Sequence, residues 1–89
     1  MKGLEQIHTT VCNHFNISDI RQSKKAKMFY IVMVKHVRNC TRPYITNKEI
    51  AYILNIHENT VLNLYKHYEE KKPLYYEETK TILTKLFEL

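Results

Sequence analysis

Glycine occurs once in these 89 residues, at Gly3, and proline twice, at Pro43 and Pro73. Sandwiches and barrels need a tight turn roughly every 8–12 residues, and tight turns draw heavily on those two residues. A chain this poor in both is expected to be all-α. Apolar residues make up 44 % of the chain, and no apolar run approaches the ~20 residues that span a bilayer. The length suits one domain, residues 1–89, with a single core. Met1, Lys2 and Gly3 lead straight into amphipathic sequence without the apolar stretch of a secretory signal, so the expected compartment is the cytoplasm. Cys12 and Cys40 lack any Cys-x-x-Cys spacing and read as small core residues of a reducing compartment.

Helical periodicity divides the chain into five or six helices. Leu4, Ile7, Val11 and Phe15, flanked by His8 and Cys12, share one face, predicting a helix over 3–15. In "NISDIRQS", Ser18 is placed to cap a short turn, with Ile17 and Ile20 inward. No glycine or proline interrupts Lys24 to Cys40, and its apolar centre "MFYIVMV" predicts the hub of the domain. Ala26, Phe29, Met33, Val37 and Cys40 form its stripe. Pro43 disfavours helix at Arg42 and ends that element near Cys40. Thr46 then stands three residues before Glu49, the spacing of a capping box. Tyr75 and Tyr76 follow Pro73 at the start of the last helix.

The stretch "ILNIHENTVLNLYK" joins two short apolar phrases across a break too short for an ordinary loop. Ile50, Ala51, Leu54, Asn55, Ile56, Val61 and Leu64 fall where a helix-turn-helix needs them. Ala51 is small where the second helix crosses, Asn55 tolerates the left-handed conformation of the turn, and Ile56 plugs the corner. Val61 and Leu64 seat the second helix. The bracing helix is predicted over 47–54 and the recognition helix over 58–70, capped by His57 or Glu58. Such a turn lets one helix enter a major groove while its partner braces it.

Charge supports a polyanionic partner. The net charge is +5, and between Asp19 and Glu49 lie Arg21, Lys24, Lys25, Lys27, Lys35, Arg38, Arg42 and Lys48 without one acidic residue. Each lysine or arginine placed on a phosphate releases counterions. The recognition helix sends Glu58, Asn59, Thr60, Asn63, Lys66 and His67 outward. Asparagine can pair bidentately with adenine, and threonine can touch a thymine methyl; Glu58 can accept from cytosine or serve the helix dipole. Tyr65 and Tyr68 fall at core-facing spacing and read as packing.

The order "VCNHFNIS", "RQSKKAK", "MFYIVMVKHVRNCT", "TNKEIAYIL", "NTVLNLYKHYEE" and "EETKTILTKLFEL" resembles the C-terminal DNA-binding domain (domain IV) of the bacterial replication initiator DnaA, of the Trp-repressor-like helix-turn-helix group. The resemblance covers nearly the whole chain. It implies that Lys24, Lys25 and Lys27 lie along the minor groove and backbone, that Asn47 and Lys48 touch DNA from the bracing helix, and that Thr60 and its neighbours sit in the recognition helix. The glycine-rich run before that family's Thr-Val is replaced here by "LNIHENTV", which looks equally like the corner of response-regulator output domains or of sigma-factor region four.

Gly3 cannot make a nucleotide-binding loop, the five histidines show no zinc spacing, and no nucleophile elbow or carboxylate pair is present, so neither an enzyme nor a cofactor is expected. The expected partner is double-stranded DNA, in replication or transcription. The alternative is an interaction module that keeps the helix-turn-helix shell and docks a protein, or a second copy of itself, through Ile82, Leu83, Leu86, Phe87 and Leu89.

Overall fold

The computed structural model describes residues 4–37 and 45–87. Cys40, Arg38, Arg42, the break at Pro43 and Leu89 lie outside them. Among the described residues there are five α-helices and no strand: α1 (Leu4–Phe15), α2 (Lys24–Val37), α3 (Asn47–Leu54), α4 (Glu58–Glu70) and α5 (Lys72–Phe87), with a 3-10 turn over Ile20–Gln22 between α1 and α2. The all-α expectation from the scarcity of glycine and proline holds.

The centre of α2 is covered on every side. From Met28 to Val34 no residue is more than 3 % exposed, which one helix face could not produce; α1, α4 and the 3-10 turn all pack against α2. Phe29 sits among Phe15, Tyr68 and Tyr75 at ring-centroid distances of 5.7, 6.2 and 5.6 Å. Ile7 and Val11 of α1 join Ile82 and Leu86 of α5 in the same core. Tyr30 is buried too, and burial pushes its phenol up to about 12.

Two asparagines end helices in the same way. Asn16 (φ 55°) and Asn55 (φ 56°) adopt the left-handed conformation, which asparagine tolerates better than most residues with a Cβ. After each, an isoleucine amide reaches back across the last turn: Ile17 to the Cys12 carbonyl and Ile56 to the Ala51 carbonyl, both at 3.0 Å. This is the Schellman arrangement, with the isoleucine covering the helix end. The repeated pairs, Asn16-Ile17 and Asn55-Ile56, are its signal in the sequence.

Two expectations are corrected. Asp19, not Ser18, caps the 3-10 turn: its carboxylate accepts from the Arg21 amide at 2.9 Å, and Gln22 Oε1 accepts from the Ser18 and Asp19 amides. A carboxylate is the stronger acceptor, and it stands next to the first turn residue. Helix α5 begins at Lys72, one residue before Pro73, because a proline fits the first turn, where amides lack helical partners. The same ring cannot continue α4, so Lys71 alone separates the two helices. The second concerns the apolar face proposed for docking. Ile82 and Leu86 are fully buried, and Leu83 is half-buried against the core. Of the described members only Phe87 is exposed, so that face closes the domain rather than presenting an apolar surface.

Candidate nucleic-acid interface

Helices α3 and α4 form the helix-turn-helix pair. Thr46 Oγ1 accepts from the Glu49 amide at 3.2 Å while Glu49 Oε1 accepts from the Thr46 amide at 3.4 Å, completing the capping box. Ile50, Ala51 and Leu54 of α3 and Val61 and Leu64 of α4 are buried, and Ile56 packs on the core from the corner. His57 begins α4: its Nδ1 accepts from the Asn59 amide at 3.1 Å, which requires the ring proton to lie on Nε2.

The outer side of α4 carries Glu58, Asn59, Asn63 and Lys66, all exposed, with Thr60 half-buried beside them. His67 is also exposed, but its Nε2 meets the Tyr75 hydroxyl at 3.4 Å, which turns it toward α5. The first two turns of α4 therefore show mainly uncharged hydrogen-bonding groups, and Leu62, half-exposed, is their apolar neighbour. Tyr68 is buried and Tyr65 half-buried, stacked at 6.3 Å. Burial first, and then Glu69, raises the Tyr65 phenol above its ordinary value. Both tyrosines pack, as their spacing predicts.

The basic segment is fastened to the corner by Arg21. Its Nε and Nη2 donate to the Ile53 carbonyl at 3.1 and 2.9 Å, taking up a carbonyl that has no amide partner at the end of α3. Ser23 then starts α2, its Oγ accepting from the Ala26 amide at 3.2 Å. At 100° per residue, Lys27 stands about 60° from Lys24 but about 160° from Lys25. Lys24 is exposed and Lys27 half-buried. Lys25 departs from them: its Nζ lies 3.0 Å from Glu78 Oε1 and 5.9 Å from the ring centres of Phe15 and Tyr75. The three lysines expected to act together are thus divided, and Lys25 joins α2 to α5.

On α3, Lys48 is exposed and Asn47 half-buried. Asn47 Oδ1 accepts from Lys35 Nζ at 3.1 Å, and the same ammonium stands 5.0 Å from the Tyr65 ring centre. Sequence reasoning counted Arg21 and Lys35 in the basic block but missed their partners, Ile53 and Asn47, because these lie on a separate helix and no spacing rule connects them.

No family model, curated protein or solved structure matches this chain. The geometry of the pair and its charges must therefore carry the functional reading. Among the described residues no helix is long and apolar enough to cross a membrane, and no group of histidine, cysteine and carboxylate side chains could hold a metal ion.

Proposed function

We propose that this chain is a sequence-specific binder of double-stranded DNA. Helix α4 enters the major groove, α3 braces it, and Arg21, Lys24 and Lys27 run along the adjoining backbone. The observation that carries the reading is the corner itself. A left-handed Asn55 sets α4 against α3, the exposed first turns of α4 offer Asn59, Thr60 and Asn63 to base edges, and Arg21 ties the basic segment to the Ile53 carbonyl beside them. The resemblance to the initiator's DNA-binding domain supports the same reading and makes replication or transcription its setting, in the cytoplasm. Burial of Ile82 and Leu86 removes most of the apolar face on which an interaction module would depend.

The test is selection from a pool of random duplexes, followed by titration of the winning sequence at rising salt. A specific binder enriches a common motif, and its affinity falls steeply as salt rises, by about one logarithmic unit per phosphate neutralised for each tenfold step. Absence of enrichment together with salt-independent affinity refutes the reading.

A further inference from the structure

We infer that a groove on the far side of the core, between α5 and the ends of α2 and α4, is a binding site for a small molecule that joins an aromatic ring to an anionic group. The groove has a volume of about 330 Å³, within the range that small ligands occupy. Its floor is the half-buried Leu83 with the buried Tyr68 beside it. The Tyr68 hydroxyl is already bonded to Thr79 Oγ1 at 3.1 Å, so the floor asks for no hydrogen bond there.

The rim is cationic. Lys72, Tyr76 and Lys80 border the groove, four residues apart and therefore on one side of α5, so that an exposed aromatic ring stands between two ammonium groups. Among the described residues no aspartate or glutamate borders the groove, and neither lysine makes an ion pair. An apolar floor excludes a bare ion such as phosphate, which would lose its hydration without replacement. A neutral ring would leave both ammonium groups unanswered. A flat ring bearing a carboxylate or sulfonate satisfies both parts: the ring lies on Leu83 beside the exposed ring of Tyr76, and the anion reaches Lys72 or Lys80.

The test uses the whole chain, labelled with nitrogen-15, and titrates 2-naphthoate, its neutral isostere 2-naphthamide, and inorganic phosphate, following amide shifts. Naphthoate is expected to move the amides bordering the groove in α5 and to bind up to about fivefold more tightly than naphthamide, since one exposed ion pair is worth up to about that factor. Lys72→Met with Lys80→Met should bring naphthoate down to the level of naphthamide. Leu83→Trp, which fills the floor, should abolish both while the unperturbed spectrum keeps its dispersion. Equal affinity for naphthoate and naphthamide, equal affinity for phosphate alone, shifts confined to other helices, or no shifts at all would each overturn the assignment. None of these results depends on whether the chain binds DNA.

Discussion

Lys35 donates to Asn47 Oδ1 at 3.1 Å, linking the central helix to the first residue of the bracing helix. An ammonium group can only donate, so the contact fixes which side of the amide faces inward. Asn47 Nδ2 points the other way, and among the described residues it has no partner. If α3 lies on a DNA backbone, Lys35 holds a donor in place for a phosphate. Lys35→Met is expected to weaken duplex binding by about 1 kcal/mol, the worth of one oriented hydrogen bond, and to leave the salt slope unchanged. A slope lower by about one unit would show instead that Lys35 itself meets a phosphate.

The two lysines that remain together, Lys24 and Lys27, should behave as backbone contacts. Replacing both by alanine is expected to weaken binding to every duplex alike and to flatten the salt slope by up to about two units. Lys25→Ala should leave the slope alone and lower the melting temperature, because its partner is Glu78. Salt titrations of the two variants side by side check the division; a flattened slope for Lys25→Ala would contradict it.

Acid should weaken the link between α1, α2 and α5. Burial raises the Glu78 carboxyl, but hydrogen bonds from Lys25 and from His14 Nε2, both at 3.0 Å, outweigh it and hold the group below its ordinary value of 4.5. With the folded value depressed, the contribution of Glu78 to stability is complete above the unfolded value and is lost as pH falls through the lower, folded one. Urea unfolding of the wild type and Glu78→Gln should differ by a constant amount near neutral pH. The gap should close as the solution is acidified below about pH 4.5; a gap that is the same at pH 3 as at pH 7 would contradict the assigned role.

Helix-turn-helix geometry should depend on the backbone at Asn55 more than on its side chain. Asn55→Ala is expected to cost about 1 kcal/mol because a plain Cβ disfavours the left-handed conformation, while Asn55→Gly should be at least as stable as Asn55→Ala. Thermal unfolding gives the order, and alanine equal to asparagine would remove the strain argument.

What the sequence disclosed and what it hid divide along chain distance. The capping box at Thr46 and Glu49, the corner at Asn55 and the buried centre of α2 rest on neighbours within a few residues, where spacing alone fixes geometry. Lys25 with Glu78, Arg21 with Ile53 and Lys35 with Asn47 join residues on different elements, and nothing in the charge composition disclosed that Lys25 meets Glu78 of α5. The last helix misled for a related reason. An amphipathic face reads the same in sequence whether it covers the core or is left open, and only the packing of Ile82 and Leu86 against α1 decides between the two.

The central claim, that the exposed first turns of α4 read base edges, is tested most directly by Asn63→Ala, titrated against the selected duplex and against random duplex. Asn63 is exposed and uncharged, and alanine is the better helix former, so the change does not weaken the helix. The predicted result is a loss of about 1–3 kcal/mol on the selected duplex, little change on random DNA and an unaltered salt slope. Equal losses on both duplexes, or no loss on either, would contradict base reading by this helix.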